Sequence, residues 1–141
     1  MNPSITPDAH PDPWLDLLRG YVADTVRALA AGGLRPQASW LDPRDPRDAT
    51  ILLADATRST STRALRALVW DEETGWRTGA YVSGGPGVRT RLAEPAYLGG
   101  GVLVGPDEVA SRLSTGAATA RRAYRSRHDL RDGFDDALRT F

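Results

Sequence analysis

Residues 68–76 read LVWDEETGW, and this stretch decides the fold. An apolar run ends at Trp70, an acidic segment closes on Gly75, and Trp76 starts the chain back. Such a segment between two aromatic-bearing runs is a β-hairpin signal, with Gly75 supplying the positive φ that the turn needs. The pattern predicts a strand over residues 64–70 (ALRALVW), a turn over 71–75 and an antiparallel return strand over 76–82. With five connecting residues, strand parity sets Trp70 and Trp76 opposite each other as a cross-strand pair.

Upstream, residues 49–54 (ATILLA) form a second short apolar run, joined to the first by the Ser/Thr-rich stretch 57–62. Residues 34–48 hold three prolines and several charges, which predicts an irregular connection with at most a short strand around Trp40. Downstream, residues 83–87 (SGGPG) break the return strand, and 88–92 offer a further short one. Gly99, Gly100 and Gly101 mark a tight bend or a close backbone contact, with Val102 to Val104 packing behind it.

Two helices frame this β-rich centre. Asp12 is a suitable N-cap with Pro13 at the first helical position, and Trp14, Leu18, Val22, Val26 and Leu29 recur at helical spacing before Gly32 and Gly33. Gly20 lies inside that helix and weakens it by about 1 kcal/mol relative to alanine. A second, short helix opens at Pro106, carries Asp107 and Glu108 in its first turn, and ends near Gly116. The expected fold is therefore α+β: an antiparallel sheet of three to five strands, with the N-terminal and the short C-terminal helix packed on one face. Residues 1–12 are expected to be a disordered lead-in, 13–115 a single domain and 116–141 an Arg-rich tail with helical potential.

The composition narrows the chemistry. All 18 basic residues are Arg, no Lys occurs, and the formal net charge is zero. This zero is a balance of two halves, net −3 over residues 1–110 and net +3 over 111–141. The lack of Cys removes disulfides, thiolate metal sites and Cys nucleophiles. The N-terminal stretch has no basic region followed by an apolar run, and no window reaches the 18 or so apolar residues of a membrane span. A soluble, cytoplasmic protein without membrane contact is expected, and its Arg-rich, Lys-free composition fits a GC-rich bacterial genome.

The LVWDEETGW stretch, followed by residues 96–110 (AYLGGGVLVGPDEVA), resembles an uncharacterised actinobacterial family, the domain of unknown function 6292. The resemblance covers roughly Tyr21 to Leu113 and implies a small cytoplasmic bacterial domain. It carries over no catalytic residue.

Candidate chemistry is sparse. Asp71, Glu72 and Glu73 are read as a solvated turn, because adjacent turn side chains point in different directions and no calcium-loop spacing is present. His10 lies in the lead-in and His128 in the tail, away from any preorganised pocket. Ser59, Ser61 and Ser83 lack the setting of a nucleophile. The SGGPG stretch lacks the Lys-Ser/Thr ending of a phosphate loop. No catalytic residue, metal ligand or cofactor is assigned.

Two interaction signals remain. Leu130, Phe134, Leu138 and Phe141 fall at spacings that make one apolar helical stripe, able to dock a partner groove or a second copy, with Trp70 and Trp76 as further contact candidates. Arg121, Arg122 and Arg125 fall on one helical face and are placed to neutralise phosphates. The leading expectation is a non-enzymatic protein-interaction or assembly module that binds a protein partner or itself. The alternative is a DNA-associated regulator using the Arg cluster, and third comes a small-ligand-binding domain or an enzyme working without His, Cys or Lys.

Overall fold

Starting from Pro13, the chain builds a helical entry, five sequential strands and two closing helices. The computed structural model describes residues 5–41, 45–54 and 65–141. Ser59, Ser61, the Ser/Thr-rich loop and the expected strand start at Ala64 lie outside the described residues. The elements are α1 (Pro13–Asp16), α2 (Arg19–Ala31), β1 (Pro36–Leu41), β2 (Asp48–Ala54), β3 (Leu65–Asp71), β4 (Gly75–Gly85), β5 (Val88–Tyr97), α3 (Pro106–Thr115) and α4 (Phe134–Leu138). The strands form one antiparallel sheet in the order β1-β2-β3-β4-β5, so each pairs with its neighbour in sequence. This is the α+β architecture expected from the sequence.

The helix expected to run unbroken from Pro13 is two pieces. Asp12 caps α1 by accepting from the Trp14 amide, with Pro13 in the first turn. The Leu18 amide then bonds to the Leu15 carbonyl, a tighter turn than the α-helical one, and α2 starts at Arg19. Gly20 has a packing reason: a Cβ there would lie 2.5 Å from the main-chain oxygen of Phe141. The lead-in also departs from expectation, since Pro7 is buried and Ser39 on β1 donates to the Ile5 carbonyl.

The central hairpin forms as the sequence predicts. Trp70 lies directly opposite Trp76, Asp71 opposite Gly75, and Gly75 has φ of +76°. A Cβ on Gly75 would stand 2.4 Å from the Gly101 carbonyl oxygen, so both the turn and the close approach of the glycine bend require glycine here. The next hairpin is longer than expected. β4 continues through the glycines to Gly85, Gly85 pairs with Val88, and Pro86–Gly87 alone makes the turn. Irregular register between Thr78 and Gly85 bends this pair. The sheet then curls far enough that Thr90 on β5 shares a 2.7 Å hydrogen bond with Thr50 on β2, and Arg89 pairs with Asp48 at 2.8 Å.

Alternation along β2 and β3 sorts the faces. Ala49, Ile51, Leu53, Leu68 and Trp70 join Val22, Val26 and Leu29 of α2 and Val109 and Ala110 of α3 in the core. Both helices therefore cover the same sheet face. Tyr21 sits at the centre, its ring 6.0 Å from Trp70 and 6.1 Å from Trp76. Its hydroxyl donates to the Val104 carbonyl and accepts from Trp76 Nε1 at 3.0 Å, while Trp70 Nε1 donates to the Val102 carbonyl at 2.7 Å. The segment after the three glycines thus supplies carbonyls to two core aromatic side chains, which explains why it approaches so closely.

Burial pushes the Tyr21 hydroxyl's pKa well above the ordinary tyrosine value, against the smaller opposing effect of the Trp76 bond. The folded chain therefore keeps a proton that the unfolded chain releases near pH 10. Stability from this group is complete below about pH 10 and falls above it, by up to about 1.4 kcal/mol per pH unit. Tyr21→Phe should flatten that alkaline slope in urea unfolding followed from pH 8 to 11. It should also lower stability at neutral pH by about 1–3 kcal/mol, because it leaves the buried Val104 carbonyl without the Tyr21 donor and Trp76 Nε1 without its acceptor.

Candidate functional site

The hairpin turn distributes its three acids among three tasks. Asp71 closes the turn on itself: its carboxylate accepts from the Glu73 and Thr74 amides, the Thr74 hydroxyl and the Arg77 guanidinium, at 2.6–2.9 Å. Glu73 points to the tail, where its carbonyl accepts from the Tyr124 amide and its carboxylate from the Arg127 amide. Glu72 turns inward and is fully buried. The expectation of a solvated acidic turn is corrected by these contacts. At Glu72 and Glu73, groups arriving from distant segments replace water that a turn carboxylate ordinarily keeps.

Two arginines converge on Glu72. Arg47, itself 1% exposed, donates its amide to Oε2 at 2.6 Å and its Nη2 and Nε to Oε1 at 3.0 and 3.2 Å. Its Nη2 also reaches Asp135 at 2.6 Å, and its guanidinium lies 4.3 Å from the centre of the Trp14 ring. Arg125 donates Nη1 to Glu72 Oε1 at 3.0 Å and Nε to Asp132 at 2.7 Å. Burial opposes the charge of Arg125, but the Asp132 and Glu72 carboxylates together outweigh it and raise its pKa. In return, hydrogen bonding from Arg125 holds the Asp132 carboxyl below the usual carboxylate range.

Aromatic rings flank these charges. The Arg125 guanidinium lies 4.0 Å from the Phe134 ring centre, and Phe134 stacks on Trp70 at 6.0 Å with an angle of 7°. Residues 121–141 thus enter the molecule at the hairpin turn, with Phe134 and Leu138 part of the hydrophobic core.

This placement corrects the tail as read from the sequence. The helical stripe through Leu130, Phe134, Leu138 and Phe141 does not form: α4 covers only Phe134–Leu138, preceded by Gly133 in the left-handed region. Leu130 is 76% exposed and Phe141 40%, whereas Phe134 and Leu138 are buried within this chain. Trp70 and Trp76 are likewise buried, with Phe134 stacked on Trp70. Arg121, Arg122 and Arg125 share no helical face, because the chain around them is not helical. Arg121 and Arg122 are exposed, with Arg122 over the Tyr124 ring at 5.3 Å, while Arg125 is committed to Glu72 and Asp132.

The other candidates are placed as follows. His10 Nδ1 accepts from the Asp12 amide, and His128 and Ser83 are exposed. The SGGPG residues belong to β4 and its turn, as described above. Among the described residues no group of three or more His, Asp or Glu is arranged to hold a metal ion, and no helix is long and apolar enough to cross a membrane. Sequence reading missed Arg47 and Glu72 as partners. Arg47 follows Pro46 in what reads as an irregular connection, and nothing local says that it will meet a turn 25 residues away.

Outside this network, the largest apolar exposures on the sheet are Val82 at 58% and Val88 at 60%, both near the end of the β4–β5 hairpin. A groove of about 480 Å³ runs beside α2, bordered by Gly20, Asp24, Leu138 and Phe141.

Removing one member of a buried ion pair strands the others, typically at about 3–5 kcal/mol. Glu72→Gln should lower the unfolding free energy by about 3 kcal/mol or more in urea titration at pH 7. The loss should persist at 0.5 M salt, because the groups are shielded from solvent ions. A change under 1 kcal/mol would show that the network is not energetically coupled.

No curated protein and no solved structure matches the chain. A model described as a family of unknown function, DUF6292, matches residues 21–115, about two thirds of the length and the part that holds the sheet, α3, Glu72 and both core tryptophans. The chain belongs to the DUF6292 family.

Proposed function

We propose that this chain is a non-enzymatic protein-interaction module, small and cytoplasmic in an actinobacterial cell, and that it docks partners along the outer half of the β4–β5 hairpin. The observation that carries this reading is the exposure of Val82 and Val88 on the outermost strand pair of the sheet. Among the described residues β5 pairs along its length with β4 alone, apart from the single bridge between Tyr97 and Thr119. Its other edge offers main-chain donors and acceptors to an added strand, with the valines as apolar anchors. The clustered ionisable groups support the same reading: Arg47, Glu72, Arg125 and Asp135 are spent on one another and on holding the chain together.

The nucleic-acid reading has less support. Of the three cations it invokes, Arg125 is buried in ion pairs, which leaves Arg121 and Arg122. Two phosphate contacts give a shallow salt dependence and little affinity at physiological ionic strength.

The test is a comparison of the proteins retained by the wild-type chain and by the double variant Val82→Asp, Val88→Asp. Both positions are exposed, so the variant should keep the wild-type unfolding midpoint. A specific partner should be retained by the wild type and weakened at least tenfold by the charges, as for anchor residues at an interface. Equal retention by both, or no specific partner, would reject the reading.

A further inference from the structure

We infer that the pocket around Glu72 is a peptide-binding site for a segment carrying an arginine and, nine residues later, an aromatic side chain, and that residues 121–141 of the chain occupy it in cis. This site is separate from the β4–β5 hairpin, and neither reading depends on the other.

Three observations carry the inference. The first is anatomical. The receiving side, with Trp70, Glu72, Arg47 and the Glu73 carbonyl, belongs to the segment matched by the family model, whereas Arg125, Asp132, Phe134 and Leu138 all lie beyond Thr115, where the match ends. The sheet, α3 and all of α2 from Tyr21 onward therefore lie within the matched segment, and the residues that fill the pocket lie outside it.

The second observation is the manner of attachment. Between α3 and α4 the chain has no helix or extended strand, only the bridge at Thr119, and most of residues 117–133 are exposed. It is held at discrete points. The Arg125 guanidinium meets the Glu72 carboxylate and carbonyl at 3.0 and 3.3 Å, the Tyr124 amide meets the Glu73 carbonyl at 2.7 Å, and the Phe134 ring stacks on Trp70. An arginine and an aromatic anchor separated by mostly exposed residues, with Arg127 bonded to Glu73 between them, is how a bound peptide engages a protein surface, with most of the energy in a few desolvated side chains.

The third is charge complementarity. Glu72 is fully buried and accepts hydrogen bonds from two guanidinium groups, one belonging to the receiving side and one to the tail. Departure of the tail leaves Glu72 with Arg47 and an open donor position. An incoming arginine fills that position as Arg125 does, with the geometric match of guanidinium to carboxylate. A lysine cannot reproduce the fork that spans Glu72 and Asp132.

Because the resident segment is tethered, an external peptide competes against a high effective concentration. Weakening the resident must therefore strengthen external binding, whereas an ordinary destabilising mutation weakens both. The full chain is titrated with a fluorescent peptide of residues 121–141 and followed by anisotropy. The intact chain should bind it measurably, and the Arg125→Ala chain, or Arg125→Lys should the alanine variant not fold, should bind it at least tenfold more tightly. Glu72→Gln in the chain, or Arg125→Ala in the peptide, should weaken binding at least tenfold, while Leu130→Ala in the peptide should leave it unchanged. Absence of binding to both the intact and the Arg125 variant chains would overturn the inference. So would equal binding by peptides with and without the arginine, either result making residues 121–141 a fixed part of the core.

Discussion

A carboxylate removed from water loses several kcal/mol of hydration unless ionic and hydrogen-bonding partners replace it, and Glu72 meets that condition through arginines from well before and well after it in the chain. Arg47 precedes β2, Glu72 lies in the β3–β4 turn, and Arg125 lies beyond α3. Arg47 also binds the Trp14 carbonyl and Asp135, and so ties the helical entry and the last helix to the same point. The helical entry, the hairpin turn and the tail are thus joined at this one carboxylate and its two arginines.

The aromatic side chains explain why the charges are tolerated there. Phe134 presents one face to the Trp70 ring and lies 4.0 Å from the Arg125 guanidinium, while Arg47 stands over Trp14. A guanidinium is weakly hydrated and stacks on aromatic faces, so arginine crosses from core to ion pair at a lower cost than lysine would. A chain with 18 arginines and no lysine can use this geometry repeatedly. The exposed pairs Arg19–Asp16, Arg27–Asp24 and Arg139–Asp136 contribute little by comparison, because solvent screens them.

What could be read from the sequence is what local chemistry determines. The hairpin at Asp71–Gly75 combines apolar runs with a glycine at its closing position, and the helix at Pro106 has proline, early acids and a glycine stop within twelve residues. Both formed where expected. β1 and the continuation of β4 past Val82 exceed what the sequence pattern predicts, because the prolines and glycines that usually break strands sit at an edge or in a bent hairpin where they are accommodated. The tail departs from its sequence pattern for a different reason. Spacings of four and three among Leu130, Phe134, Leu138 and Phe141 suggest a helical stripe, but Gly133 ends that regularity and the pull of Glu72 on Arg125 fixes the preceding chain in an irregular path. That pull depends on a residue 53 positions away, which no local pattern encodes.

The same dependence separates stability from specificity in this fold. Charged networks in an interior add less net stability than apolar side chains of equal volume, since desolvation cancels most of the attraction. The core aromatic side chains Tyr21, Trp70, Trp76 and Phe134 already pack against one another there. What apolar packing cannot do is distinguish one docked segment from another of similar hydrophobicity. A buried carboxylate that must be met by a fork-shaped cation can, because a segment without arginine leaves it short of a donor at a cost of 1–3 kcal/mol or more. Replacing Glu72, Arg47 and Arg125 together by apolar residues would on this argument leave the fold standing and erase its preference for what lies against the hairpin turn.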